Sequence, residues 1–216
     1  MRYLTEHDAL TNICNKASFY AKTEEMLKAD PDGSYVMIAF DVEKFRVLND
    51  IFGHDEGDRL LRYIAANLQR LLHGKGTYAR IMADNFAACV PYQSQTLMDG
   101  MKECTQLLKE YDLEFEVMLA FGLYVIDDRR APISLMHDRA EMAKRTVKGN
   151  YLKRYAFYDK ALRQSLLDEL EIANAMNEAL EQRRFEIWFQ PKCLLDTGEI
   201  VGAEELVRWN DPKSGM

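Results

Sequence analysis

Hydrophobic and polar positions along the first 158 residues follow two periods, which predict a chain of alternating strands and helices. Apolar runs bounded by turn residues predict five strands. These runs are Tyr35 to Phe40, Thr77 to Ile81, Phe86 to Val90, Glu114 to Ile126 and Arg154 to Tyr158. Between them, apolar residues recur every three or four positions, as on one face of a helix. The predicted helices include Ala17 to Ala29, Leu60 to Leu72, Ser94 to Tyr111 and Ile133 to Val147.

The pattern changes at Asp159. Six apolar residues then recur at helical spacing: Leu162, Leu166, Leu170, Ala173, Met176 and Leu180. They predict one long amphipathic helix from Asp159 to Gln182, which would connect two domains. A strand, a D-T-G turn and a second strand are predicted after it.

Composition narrows the class of protein. The chain has 216 residues, of which 48% are hydrophobic, and this content supports a packed core. The formal net charge of −7 argues against a nucleic-acid binder, which needs a basic face. We see no membrane-spanning run and no signal peptide, and expect a cytoplasmic protein with its four cysteines reduced.

Two acidic residues suggest a metal site. Asp41 follows the run that ends at Phe40, and Asp84 lies between two strand-like runs, at a predicted hairpin tip. Two strand ends can bring two carboxylates to one magnesium ion, because Mg²⁺ prefers oxygen ligands. The alternative is that both residues are unrelated loop acids.

From Phe40 to Asp58 the chain reads F-D-V-E-K-F-R-V-L-N-D-I-F-G-H-D-E-G-D. This run resembles the GGDEF domain of bacterial diguanylate cyclases, enzymes that join two GTP molecules into cyclic di-GMP. The family pattern is D-x-D-x-F-K-x-x-N-D-x-x-G-H-x-x-G-D. Glu43 and Arg46 are close departures from it. The matching residues are Asp41, Phe45, Asn49, Asp50, Gly53, His54, Gly57 and Asp58. The resemblance implies an α/β (α+β) fold with a central, mostly antiparallel five-stranded sheet flanked by helices.

The resemblance also implies a nucleotide site. Asn49 and Asp58 would hydrogen-bond the guanine edge, with Phe45 and Arg46 in the same motif. Alternatively, Asp58 is only a charge in the first turn of a helix.

A later segment resembles the family pattern D-x-A-L-Y-x-A-K-x-x-G-R-N, counted in register from Asp138. The phosphate-contacting Lys of the pattern falls on Arg145, and Lys144 precedes it. Both are candidate phosphate contacts; otherwise they are solvated helix cations.

The signature hairpin departs from the family. Where the pattern has R-x-G-G-D/E-E-F, this chain has R-I-M-A-D-N-F from Arg80 to Phe86. Asp84 keeps one carboxylate, as metal ligand and catalytic residue. Asn85 stands at the position of a catalytic Glu, and a neutral amide cannot act as a base. We therefore expect little or no cyclase activity.

Two further segments extend the resemblance. Near the start, Asp8, Leu10 and Thr11 match the opening D-x-L-T-G-L of GGDEF domains, and Asn12 replaces the Gly. Asn tolerates a positive φ, so the turn should be preserved.

The final strands resemble the start of EAL domains, the cyclic di-GMP phosphodiesterases. Gln190, Glu204, Leu206 and Arg208 match that family's pattern, with Glu204 as a metal ligand and Arg208 as a phosphate contact.

These observations predict a GGDEF-like domain over 1–158, a connector helix over 159–184 and a truncated EAL start over 185–216. The expected function is a degenerate GGDEF domain that binds GTP, with Mg²⁺ or Mn²⁺ when nucleotide is present, and regulates an EAL neighbour. Two alternatives are a residual diguanylate cyclase and a structural module that forms homodimers.

Overall fold

The structure is a computed structural model that describes residues 6–150 and 152–210. The chain forms two compact units, Met1–Asp159 and Lys160–Met216.

The first unit is built on one five-stranded sheet. Its strands lie in the order β2-β3-β1-β4-β5. They are β1 (Tyr35–Val42), β2 (Thr77–Met82), β3 (Asn85–Pro91), β4 (Leu119–Val125) and β5 (Tyr155–Phe157). All neighbouring pairs are antiparallel except β4 and β5, which are parallel. The predicted mostly antiparallel sheet is therefore confirmed.

Helices cover both faces of this sheet. They are α1 (Lys16–Ala29), α2 (Phe45–Phe52), α3 (His54–Leu72), α4 (Ser94–Lys109) and α5 (Ile133–Arg145). Val36 and Phe40 of β1 pack with residues of α3 and α4. Met37 and Ala39 instead pack with residues of α1 and α5. Because side chains alternate along a strand, Asp41 belongs to the α1 and α5 face.

The strand predicted over Glu114 to Ile126 is too long. Strand β4 begins only at Leu119, opposite Val42 at the end of β1. Past this pair, one more backbone hydrogen bond joins the two segments, in which the N–H of Glu43 donates to the carbonyl oxygen of Met118 at 2.8 Å. Residues 114–118 extend past the end of the neighbouring strand, so they have no ladder to join.

The second unit consists of helix α6 (Lys160–Glu181) and a hairpin of β6 (Phe185–Cys193) and β7 (Ile200–Trp209). The two strands are antiparallel, as predicted. Among residues 6–150 and 152–210, no helix is both long enough and apolar enough to cross a membrane.

Candidate functional site

The β2–β3 hairpin turns through Ala83 and Asp84. Ala83 has a φ of 50°, a left-handed conformation that costs little for Gly but more for Ala. Arg80 holds the turn, since its Nε donates to the carbonyl oxygen of Ala83 at 2.7 Å. Met82 is 69% exposed at the tip. The hairpin shape is thus retained despite the loss of both family glycines.

Asp41 is the penultimate residue of β1, one position before the strand ends, and it is buried. Two lysine ammonium groups lie beside the same carboxylate oxygen. Nζ of Lys148 is 2.7 Å from Oδ2, and Nζ of Lys144 is 3.3 Å from it. Oδ1 is buried and has no hydrogen-bond partner within the described part of the chain. The predicted metal ligand is therefore an ion-pair partner in this structure.

Lys144 lies near the end of α5, with its side chain only 3% exposed. Its ammonium group also donates to Oδ1 of Asn85 at 2.7 Å and to Oε1 of Glu141 at 2.9 Å. Two of its three N–H donors are therefore used in hydrogen bonds, and Asp41 adds an ion pair at 3.3 Å. Lys144 thus links α5 to two strands of the sheet, β1 and β3.

Gly122 of β4 allows α5 to approach the sheet this closely. A Cβ at this position would lie 1.9 Å from the carbonyl oxygen of Ala140 and 2.7 Å from Cβ of Lys144. Any larger residue would push the helix away. The glycine therefore determines how deep the Lys144 ammonium lies.

Lys148 reaches Asp41 from the turn after α5, and its side chain is 48% exposed. Burial lowers the pKa of Lys148, but the hydrogen bond and charge of Asp41 outweigh it, with further contributions from Asp84 and Glu43. The pKa therefore lies above its ordinary value, and Lys148 is charged at neutral pH. The next residue, Gly149, donates its N–H to Oε1 of Glu43 at 2.9 Å. The turn after α5 is thus fixed to the end of β1 and the residue just beyond it.

Asp84 interacts electrostatically with the same group. Burial raises the pKa of Asp84, and the charge of Asp41 raises it further, whereas Lys148 and Lys144 lower it. The net shift is upward. Asp84 is thus within electrostatic range of Asp41 and of both lysines, and a metal site shared by the two carboxylates stays a prediction.

The contacts around this pair do not fit a divalent cation. Mg²⁺ takes near-octahedral oxygen ligands at short distance. Here one oxygen of Asp41 accepts two ammonium groups, and Asn85 supplies an amide already bonded to Lys144. Across residues 6–150 and 152–210, no three His, Cys, Asp or Glu side chains are grouped as metal ligands. Binding of Mg²⁺ by Asp41 and Asp84 stays a prediction.

The candidate guanine contacts lie at the junction of α2 and α3. Asn49 is in α2, and its Oδ1 is buried with no hydrogen-bond partner among the residues that the structure describes. It packs against Gly57, where a Cβ would lie 1.9 Å from that oxygen and 3.1 Å from the Phe45 ring. Asp58 follows Gly57 directly, 4.0 Å from Arg62. Asn49 and Asp58 are therefore both neighbours of Gly57, Asn49 through packing and Asp58 along the chain.

The four basic and aromatic candidates differ in accessibility. Arg46 and Arg145 are exposed, and Phe45 is half-buried. Lys144 is buried and engaged, so Arg145 is the better placed of the two predicted phosphate contacts. Their roles toward a nucleotide stay predictions.

Sequence reasoning missed Lys148 and Glu141. In the pattern counted from Asp138, Lys144 falls on an Ala, Lys148 on the Gly and Glu141 on a Leu. Three charged residues at small or apolar positions of one segment were the available signal. The shared target of the two lysines was not apparent, because Asp41 lies about a hundred residues earlier.

In the second unit, the predicted EAL residues lie on the hairpin. Gln190 is opposite Glu204, and Leu206 is opposite Trp188. Glu204 is 3.5 Å from Lys192, and both side chains are exposed. Arg208 donates to the neighbouring carbonyl of Val207 at 3.2 Å.

Known proteins share this sequence pattern and fold. The family model described as "Diguanylate cyclase, GGDEF domain" matches residues 5–151. The chain is 24% identical over 222 residues to MucR of Pseudomonas aeruginosa, a bifunctional diguanylate cyclase/cyclic di-GMP phosphodiesterase, and this match covers 99% of the chain and 32% of MucR. The chain spans 28% to 32% of the length of two curated relatives that it matches.

Solved structures agree on the fold. The coiled coil and GGDEF domain of DgcB from Caulobacter crescentus, in complex with c-di-GMP, superposes with a TM-score of 0.65 at 19% identity, covering 72% of this chain and 87% of that one. The S helix-GGDEF-EAL structure of Vibrio cholerae LapD, bound to c-di-GMP, gives a TM-score of 0.64 at 16% identity, covering 98% of this chain and 50% of that one. The chain belongs to the diguanylate cyclase GGDEF domain family.

Proposed function

We propose that this chain is a degenerate GGDEF domain of a cyclic di-GMP signalling protein, which binds GTP without converting it. The observation that carries this proposal is a contrast between two groups of residues that the family pattern assigns to the nucleotide. Asn49, Gly57 and Asp58, the residues proposed at the guanine end, match the family pattern, and Asn49 lies against Gly57. At the phosphate end, lysines surround Asp41, and Asn85 replaces the family Glu.

GTP recognition would use the unpaired oxygen of Asn49 and the carboxylate of Asp58. Both accept hydrogen bonds, and the guanine edge carries N–H donors. Adenine presents a different donor pattern, so the pair should favour GTP over ATP. Arg145 is an exposed cation available for the triphosphate.

Calorimetric titration with GTP and ATP tests this proposal. We expect GTP to bind more tightly than ATP and Asp58→Ala to abolish the difference. Asp55→Ala is the matched control, because Asp55 is an exposed carboxylate in the first turn of α3, three residues before Asp58. Equal affinity for GTP and ATP would contradict the guanine-reading role.

The second unit suggests a regulatory arrangement. We propose the division 1–158 for the GGDEF domain, 159–184 for a connector helix and 185–216 for the start of an EAL domain. Trp188 and Phe189 are neighbours in β6 and so point to opposite faces, yet they are 50% and 63% exposed. Both faces of the hairpin thus carry exposed apolar groups, which suits a fragment that packs within a larger domain.

Helix α6 would then couple the two domains in a cytoplasmic protein. Leu170 and Leu180 on its apolar face are 60% and 59% exposed, so this face is available to an EAL domain or a second copy of the chain. Coupling between two sites typically changes the free energy of ligand binding by about 1–3 kcal/mol, which changes the affinity by a factor of roughly five to a hundred.

Cyclic di-GMP hydrolysis or binding by the full-length protein, with and without GTP, measures the coupling. We expect GTP to change this hydrolysis or binding, and Asn49→Ala to abolish the effect of GTP. The same activity under all conditions would favour the structural dimerisation alternative. Product formed from GTP would favour the residual cyclase.

A further inference from the structure

Two positive charges converge on one buried carboxylate at the end of β1. Lys144 and Lys148 both contact Oδ2 of Asp41, at 3.3 Å and 2.7 Å. Two ammonium groups thus supply positive charge to the carboxylate that the family pattern assigns to a metal ion. The two lysines reach it from different directions, one from inside α5 and one from the turn after it.

Acidic side chains surround both lysines. Glu141 contacts Lys144 at 2.9 Å, and Asp84 and Glu43 act electrostatically on Lys148 in addition to Asp41. Asn85 adds no charge, and its oxygen is the nearest acceptor to Lys144, at 2.7 Å. A carboxylate at position 85 would add one negative charge to this group. The neutral amide and the lysines therefore fit together.

We propose that the ammonium groups of Lys144 and Lys148 are a built-in substitute for the divalent cation of this site, and that they exclude Mg²⁺ and Mn²⁺ from Asp41. The inference concerns the site of the proposed function but does not require GTP to bind. On this proposal, metal binding is prevented by lysines of α5 and of the turn after it, as well as by the changes in the hairpin.

The geometry explains the exclusion. The two oxygens of a carboxylate are close together, so an ion at Oδ1 would lie within a few ångströms of the ammonium groups at Oδ2. Repulsion between these charges is strong at such distances, because the site is buried and poorly screened. Lys144 cannot easily move aside, since its side chain is 3% exposed and its ammonium group is hydrogen-bonded to Asn85 and Glu141.

Manganese binding tests the proposal without nucleotide. The signal of free Mn²⁺ in electron paramagnetic resonance measures binding to the wild-type chain, to Lys144→Met/Lys148→Gln and to Lys148→Gln alone. The control is Lys102→Gln, because Lys102 is 78% exposed on α4 and pairs weakly with Asp99. Circular dichroism melting checks that each variant is folded.

We expect no site in the wild type or the control with a dissociation constant below about 1 mM, the weak end of protein sites for hard cations. The double variant should gain Mn²⁺ binding by at least about tenfold, and Asp41→Asn in that background should remove it. Lys148→Gln, whose side chain is half exposed, should fold and show a smaller gain.

Two results would overturn the proposal. One is wild-type Mn²⁺ binding that Asp41→Asn abolishes, and this result needs no lysine variant. The other is a folded variant, double or single, with no gain. Neither depends on GTP, which is titrated separately in the presence of EDTA, so a failure of the proposed function remains distinguishable.

Discussion

Nζ of Lys148 lies 2.7 Å from Oδ2 of Asp41, although 107 residues separate them in sequence. The contact joins the turn after α5 to the end of β1, where the GGDEF pattern places a metal ligand. Lys144 approaches the same oxygen from within the helix. The site that resembles a metal centre in sequence is an ion-pair cluster in three dimensions.

Lys144 and Glu141 should be energetically coupled. Lys144→Met removes the buried cation and leaves Glu141 and Asp41 undercompensated, which we expect to cost about 3–5 kcal/mol of unfolding free energy. Glu141→Leu in the same chain should recover part of that loss, since it removes one unpaired charge. Urea unfolding of the two single variants and the double variant measures the coupling.

The matched control is Lys28→Met, because Lys28 forms an exposed pair with Glu24 at 2.6 Å. An exposed pair contributes little, so this variant should change stability by less than about 1 kcal/mol. Additive losses for Lys144 and Glu141 would show that the two side chains act independently.

Gly122 should be intolerant of a methyl group. Gly122→Ala places a Cβ against the backbone of α5, so we expect a loss of about 3 kcal/mol from overpacking. Gly100→Ala is the control, because Gly100 lies in α4 with no atom within 4 Å of an added Cβ. Removing a helical Gly should stabilise the chain by about 0.5–1 kcal/mol.

Thermal or urea unfolding distinguishes the two glycines. Equal effects at positions 122 and 100 would mean that the close approach of α5 is unimportant. A selective loss at position 122 would support the role of this glycine in setting the depth of Lys144.

The fold was largely predictable from sequence, since strand and helix periods and the GGDEF motifs are local signals. Asn12 illustrates this, because it has the positive φ of 61° expected at a family glycine. Strand β4 was predicted too long, because an apolar run does not reveal where the neighbouring strand ends. The contacts of Asp41 were not predictable, since they depend on how deeply α5 packs against Gly122 and on which lysines then reach the sheet.

Asp8 should contribute stability that depends on pH. It joins the first loop to the hairpin, accepting from Thr11 N at 2.9 Å and from Nη1 of Arg80 at 3.0 Å. Burial raises the pKa of Asp8, but the hydrogen bonds of Thr11 and Arg80 outweigh it, so the pKa lies below its ordinary value. The stabilisation is therefore present above the ordinary pKa of about 4 and is lost as pH falls through the folded value.

Asp8→Asn should thus cost about 1–3 kcal/mol at pH 7, as for a hydrogen bond to a charged group. The difference from wild type should shrink at about pH 3, below the ordinary pKa. Urea unfolding at both pH values is the measurement, with Asp112→Asn on the exposed surface as control. A constant difference between wild type and Asp8→Asn would contradict an origin in the charge of Asp8.

The most direct test of the account is the incubation of the chain with GTP and either Mg²⁺ or Mn²⁺, followed by chromatography for cyclic di-GMP. The ion pairs of Asp41 and the neutral amide of Asn85 predict no product above a no-protein blank. An Asp41→Asn variant should give the same trace as the wild type. Formation of cyclic di-GMP at about one turnover per second, an ordinary enzymatic rate, with loss of that activity in Asp41→Asn, would contradict the account.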